Sequence, residues 1–154
     1  MTLEYFLKQK DFDNGTLRIR HPGFYKLLEN IEFHPNPENN FFPSEDQKEL
    51  YPLSEGYFLG FFAAITIESS DVELDLNNYT IQYSKEFNLK QRFGSIIELG
   101  SSPFIPKQGP GNFGDRYTKG SNIVIKNGTL GRSPHHGIHG NDPAGLKVTN
   151  LLIE

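Results

Sequence analysis

The sequence predicts an all-β solenoid: a stack of short parallel strands with a short N-terminal capping helix and lateral loops. Three observations predict it. The stretch Ser121-Asn122-Ile123-Val124-Ile125-Lys126-Asn127-Gly128-Thr129-Leu130 is nearly repeated 23 positions later, as Gly145-Leu146-Lys147-Val148-Thr149-Asn150-Leu151-Leu152-Ile153. Leu74, Leu99, Val124 and Lys147 recur at steps of 25, 25 and 23. With 15 Gly, 10 Pro, 13 Phe and 7 Tyr but no Trp, the composition suits many short strands and turns. A step of this length holds one coil, which buries its apolar face only against the coils above and below it. On this expectation Val72, Leu74, Leu99, Val124 and Val148 share one interior.

The elements follow in chain order. Leu3, Phe6, Leu7 and Lys10 sit at helical spacing behind Thr2, a candidate N-cap, so a short helix is expected to cover the first coil. Thr16-Leu-Arg-Ile-Arg20 and the segment 24–33 alternate as strands, with His21-Pro22-Gly23 as the turn. Residues 34–40 are a Pro/Asn-rich insertion, and Ser44-Glu45-Asp46-Gln47 is a capping box that opens a brief helix. Strands then recur at Ala64-Ile65-Thr66-Ile67, Val72-Glu73-Leu74-Asp75-Leu76, Tyr79-Thr80-Ile81, Ile96-Ile97-Glu98-Leu99, Ile123-Val124-Ile125 and Leu146-Lys147-Val148. Asn77-Asn78, Asn127-Gly128 and Asn150 fall at the bends, where Asn tolerates a left-handed backbone. The expected organisation is residues 1–56 as cap and first strands and residues 57–154 as coils. The apolar end, Leu151-Leu152-Ile153-Glu154, is expected to be covered by further chain or by a neighbouring subunit.

Length and charge bound the function. A chain of 154 residues is expected to form one domain with a real core. A formal net charge of −4 with scattered basic residues argues against nucleic acid as a partner. The absence of cysteine excludes disulfides and thiolate metal sites. Residues 1–6 lack the pattern of a signal peptide, so synthesis in the cytoplasm is expected. The longest apolar run, 57–67, is too short to span a bilayer.

The segment Val72-Glu73-Leu74-Asp75-Leu76-Asn77-Asn78-Tyr79-Thr80-Ile81 and the bend Asn127-Gly128-Thr129-Leu130-Gly131 resemble right-handed parallel β-helix proteins of the pectate-lyase-like superfamily. Gln91-Arg92-Phe93, Pro103-Phe104-Ile105-Pro106-Lys107-Gln108-Gly109-Pro110 and His135-His136-Gly137-Ile138-His139-Gly140-Asn141 are more narrowly similar to β-helix proteins of large DNA viruses of algae and protists. The resemblance covers about residues 15–154 and only the N-terminal part of those longer proteins. It implies a right-handed β-helix and the setting of a virus particle. The superfamily includes lyases, glycoside hydrolases, tailspikes and structural proteins, so it selects no activity, and no catalytic assignment carries over.

The densest polar cluster runs from Arg132 to Asp142 and holds three of the five histidines. In an extended strand His135 and His139 would stand about 13 Å apart, too far to share one ion at bond lengths of about 2.1 Å. His139 and Asn141 would lie on one face roughly 6.6 Å apart, with Asp142 on the next bend. Polysaccharide β-elimination needs a base beside the uronate and a cation on its carboxylate. His139 is the candidate base and Arg132 the candidate cation, with Asp142 a further catalytic candidate and His135, His136, His139 and Asn141 as ligand-binding residues. Histidines hydrogen-bonded to bend carbonyls account for the same residues. Glu73 and Asp75 alternate outward as a glycosidase pair would, or as any solvated strand face does.

Gly109-Pro110-Gly111-Asn112-Phe113-Gly114 matches a dinucleotide fingerprint only formally, because no helix pattern follows it. Pro103, Phe104, Pro106, Pro110 and Phe113 instead suggest a rigid loop over the flank. Tyr57-Phe58-Leu59-Gly60-Phe61-Phe62-Ala63-Ala64 is expected to be buried packing, with interface anchors as the alternative. The glycosylation patterns at Asn14, Asn78 and Asn127 read as turns.

Two functions follow. One is a rigid structural or attachment module of a virus particle or similar assembly, with other subunits at the C-terminal end. The other is a polysaccharide-binding or polysaccharide-degrading protein, a lyase or glycosidase. No cofactor is expected, with Ca2+ to be considered only for a lyase, and no metal-ligand set is assigned.

Overall fold

A computed structural model describes residues 3–108 and 117–154. Its strands are β1 (Glu4–Leu7), β2 (Leu17–Ile19), β3 (Gly23–Leu27), β4 (Ile31–Phe33), β5 (Ala63–Ile67), β6 (Val72–Asp75), β7 (Thr80–Tyr83), β8 (Ser95–Glu98), β9 (Ser121–Leu130), β10 (His136–His139) and β11 (Ala144–Ile153). They form two sheets. The larger has seven strands in the order β1-β3-β6-β9-β7-β4, with β11 beside β9, and the smaller has four in the order β10-β8-β5-β2. Every pairing is parallel.

Parallel neighbours cannot be joined by a tight hairpin, so the chain must cross over between them. Between β4 and β5 it does so through short 3-10 turns at Pro37–Asn39, Glu45–Gln47, Leu53–Glu55 and Tyr57–Leu59. The expected capping box is present in the second of these, where the Gln47 side chain accepts the Ser44 backbone N–H at 3.0 Å. Between β7 and β8 lies a five-residue helix, α1 (Lys85–Leu89), whose Ser84 N-cap accepts the Phe87 N–H at 3.2 Å. The sequence pattern predicts no helix there.

The expected right-handed parallel β-helix is not what forms. The strands divide between two open parallel sheets with short helical crossovers, a parallel-sheet, α/β-like arrangement without a closed or solenoid sheet among the described residues. Equal steps in sequence do not become equal steps in space. In the larger sheet Phe24 pairs with Glu73, Glu73 with Val124, and Val124 with Lys147, steps of 49, 51 and 23 positions. Leu99, placed by its spacing between Leu74 and Val124, instead follows β8 in the other sheet. Val124 opposes Glu73 on the half-exposed row and so does not share the interior of Leu74, whereas Val148 continues the row of Leu74 and Ile125 but is 43% exposed. Without a solenoid, the inference to a structural, virion or capsid-associated component loses its basis.

The expected N-terminal capping helix is also replaced. Residues 4–7 pair with β3 as an edge strand, because pairing satisfies their backbone while Leu7 is buried and Phe6 left exposed. A 3-10 turn at Gln9–Phe12 follows, and Thr2 lies outside the described residues.

The core lies between the sheets and the 34–62 crossover. Phe33 is wholly buried and meets Phe61 and Phe87 edge-on, with ring centroids 6.2 and 5.8 Å away. Tyr57, Phe61, Phe62, Ala63 and Ala64 are fully buried, as expected of packing residues, although Phe58 remains 40% exposed. The predicted bends hold too: Asn77, Asn78, Asn127 and Asn150 all have left-handed φ, between 49° and 66°.

Candidate functional site

The smaller sheet carries a row of polar residues through its interior. Arg18 opposes Thr66, Thr66 opposes Glu98, and Glu98 opposes His139, one residue from each of the four strands. Neighbours in register project to the same face, so this row shares one side of the sheet while Ile65, Ile97 and Ile138 form another row.

At the β2 end the row is a closed ion cluster. Arg18 Nε donates to Glu68 at 2.8 Å and its Nη2 to Glu55 at 2.7 Å, and the Thr66 hydroxyl donates to Glu68 at 2.7 Å. Burial pushes the Glu68 carboxyl up, but hydrogen bonds and charge from Arg18, with Thr66 and Arg20, outweigh it and hold Glu68 below its ordinary range. This cluster ties β2 to the crossover.

At the β10 end the row opens toward solvent. His139 Nδ1 lies 2.8 Å from both oxygens of Glu98, whose side chain is fully buried while the imidazole is 22% exposed. Burial raises the Glu98 carboxyl from 4.5 to about 7, against the opposing pull of the His139 hydrogen bond and charge. The Glu98 hydrogen bond in turn raises His139 above the ordinary imidazole value, burial notwithstanding. With Glu98 ionised, Nδ1–H is the donor and Nε2 is left as the acceptor, so the buried carboxylate selects the tautomer and aims the ring. Close packing fixes the strand end: the Leu99 N–H donates to the His139 carbonyl at 2.8 Å. A Cβ at Gly140 would meet that of Leu99 at 2.9 Å.

Rings surround the exposed edge of the dyad. His136 stacks on His139 at 5.2 Å, and Phe93 meets His139 edge-on at 5.9 Å, His135 at 5.3 Å and Phe104 at 5.4 Å. Partial burial, then the neighbouring His139 and His135, lower the pKa of His136. The result is an acid–base pair beside an aromatic and imidazole surface, able to move a proton and to stack on a ring-shaped ligand.

The sequence candidates therefore separate. His135, His136 and His139 do come together, through the shared Phe93 ring. Asn141 is a loop clamp, its Nδ2 donating to the Pro103 carbonyl at 3.0 Å. Asp142 is fully exposed and lies 3.6 Å from Lys119, whose ammonium also donates to the Asp142 carbonyl. Arg132 donates from Nε to the Tyr83 carbonyl at 3.1 Å and lines a shallow depression with Gln9, His34 and Glu86. It is thus engaged at β7 in the larger sheet, whereas its supposed partner His139 belongs to the smaller one. Glu73 pairs with Lys126 at 3.2 Å, and Asp75 accepts the Asn77 N–H at 2.8 Å, so neither carboxylate is a free member of a pair. Gly109 to Gly114, with Pro110 and Phe113, lie outside the described residues.

Glu98 is the residue that the site search in the sequence missed. Its signal was a carboxylate within the apolar run Ile96-Ile97-Glu98-Leu99, where burial demands a partner. Phe93 carried no signal beyond the quoted resemblance. Among the described residues no group of three or more His, Cys, Asp or Glu is placed to hold a metal ion, and no helix is long and apolar enough to cross a membrane. Compared with known proteins, the chain matches no family model, no curated protein and no solved structure.

Proposed function

We propose that this protein binds an acidic polysaccharide and that the His139–Glu98 dyad is the base that acts on it. The observation that supports this is the 2.8 Å contact of a wholly buried carboxylate with Nδ1 of a partly exposed imidazole. In a β-elimination, His139 Nε2 takes the proton from the carbon beside the uronate carboxylate. That electron pair becomes the new carbon–carbon double bond, the glycosidic carbon–oxygen bond breaks, and the leaving oxygen takes a proton from the imidazolium or water. Phe93 and Phe104 offer apolar faces for sugar rings, and His135 and His136 offer ring N–H groups to the carboxylate. This reading takes His139 as the base, replaces the Arg132 cation with hydrogen bonds donated by those histidines, and calls on no metal or organic cofactor.

Unsaturated-uronate absorbance and reducing ends, followed over a panel of acidic polysaccharides, test it. Wild type is expected to release unsaturated product from at least one polymer, and His139→Ala to reduce that rate by about 10²-fold or more. Glu98→Gln is expected to retain polymer binding but lose rate. If wild type neither binds nor cleaves any polymer, or if His139→Ala is as active as wild type, the reading fails.

A further inference from the structure

Strands β4, β7 and β9 are neighbours in the larger sheet, and the residues that leave their C-terminal ends come together on its flank. His34 follows β4, Ser84 and Lys85 follow β7, and Arg132 follows β9. With Glu32 and Glu86 they line a depression of about 510 Å³, a size suited to a small molecule. Ser84 is buried and positions the imidazole beside it. Its Oγ lies 2.7 Å from His34 Nδ1 and accepts the Phe87 N–H at 3.2 Å. That N–H occupies a lone pair, the hydroxyl proton goes to Nδ1, and Nε2 is left carrying the N–H of the ring. Phe41 meets the same ring edge-on at 5.1 Å.

Arg132 is anchored in a similar way. Its Nε donates to the Tyr83 carbonyl at 3.1 Å, which leaves the two terminal nitrogens as a fork matched to a pair of oxyanion oxygens. Glu32 and Glu86 border the depression, yet among the described residues neither Lys85 nor Arg132 forms an ion pair. We infer that this depression binds a phosphomonoester of a small polyol or sugar. The Arg132 fork takes two phosphoryl oxygens, and the Lys85 ammonium and the His34 Nε2–H take the remaining one. A planar carboxylate would satisfy the fork alone, whereas a tetrahedral phosphoryl group offers oxygens to all three donors. The carboxylates of Glu32 and Glu86 are acceptors only and take hydroxyl groups from the rest of the ligand. The short helix α1 supplies no backbone donor from Phe87 or Asn88, because both N–H groups are held by Ser84. This inference is independent of the dyad, which lies in the smaller sheet.

Calorimetric titration of the full chain with glucose 6-phosphate, inorganic phosphate and glucose tests it, together with the imidazole ¹⁵N resonances of His34. Glucose 6-phosphate is expected to bind one to one and to shift the His34 Nε2 resonance. Inorganic phosphate should bind more weakly than the ester, and glucose not at all. Arg132→Lys, which keeps the charge but not the fork, and Lys85→Ala, at an exposed position, are each expected to weaken the ester about tenfold. Circular dichroism checks that each variant folds, and Lys85→Ala, whose side chain has no ion-pair partner to lose, decides the matter if Arg132→Lys does not. No binding of glucose 6-phosphate, an unmoved His34 resonance, glucose or phosphate binding as tightly as the ester, or wild-type affinity in Lys85→Ala would overturn the assignment.

Discussion

Glu98 and His139 make the protein's stability depend on pH in a defined direction. Both groups hold a proton more tightly in the folded chain than in the unfolded one, Glu98 through burial and His139 through Glu98. Their contribution is therefore fully present below about pH 4.5, the unfolded value for Glu98. It is lost as pH rises toward and past the folded value of about 7. Denaturant midpoints measured across this window should fall with rising pH in wild type and show a shallower fall in Glu98→Gln. Glu68 has the opposite sign: its depressed carboxyl stabilises above its ordinary range, and that contribution is lost as pH falls through the depressed value. Arg18, which holds Glu68 and Glu55, is only 7% exposed. Arg18→Met leaves Glu55 without its cation and Glu68 with only the half-exposed Arg20 at 3.5 Å, and should cost about 3–5 kcal/mol by urea unfolding at neutral pH.

The bends that connect strand to strand are held by a ladder of amides and carboxylates. Asn150 Nδ2 donates to Asn127 Oδ1 at 3.0 Å, and Asn127 Nδ2 to Asp75 at 3.3 Å. Asn127 has φ 61°, so Asn127→Ala combines a left-handed backbone penalty of about 1–2 kcal/mol with the lost side-chain bonds. Asn127→Gly should lose only the bonds, and the difference between the two variants in urea midpoints isolates the backbone share. Gly128 is held by space. A Cβ there would stand 2.4 Å from the Leu76 Cβ and 2.7 Å from the Tyr79 carbonyl oxygen, where β9 passes from β6 to β7. Gly128→Ala should therefore destabilise by about 1–3 kcal/mol in the same assay.

At the scale of the whole molecule, two parallel sheets keep the acid–base pair apart from β11. His139 belongs to β10, an edge of the four-stranded sheet, and β11 lies beside β9 in the seven-stranded one. Their separation in the fold predicts separate behaviour: Lys147→Glu should leave polysaccharide binding within about twofold of wild type, measured by calorimetry.

Local signals in the sequence located most strands, the left-handed asparagines and the histidine cluster, because alternation and turn chemistry act within a few residues. They also implied a uniform coil of about 25 residues, since Leu74, Leu99 and Val124 repeat at equal intervals. Alternation reveals which face a residue takes but not which strand lies beside it. Register and sheet membership depend on crossovers such as 34–62, whose path is set by packing of Tyr57, Phe61 and Phe62. Tertiary structure alone decided that Leu99 follows a strand of the smaller sheet, that Arg132 turns away to Tyr83, and that Glu98, 41 positions from His139, is its partner. The physical reason is the same in each case. A buried charge or an apolar face is satisfied by whatever the fold brings to it, and that neighbour can be anywhere in the chain.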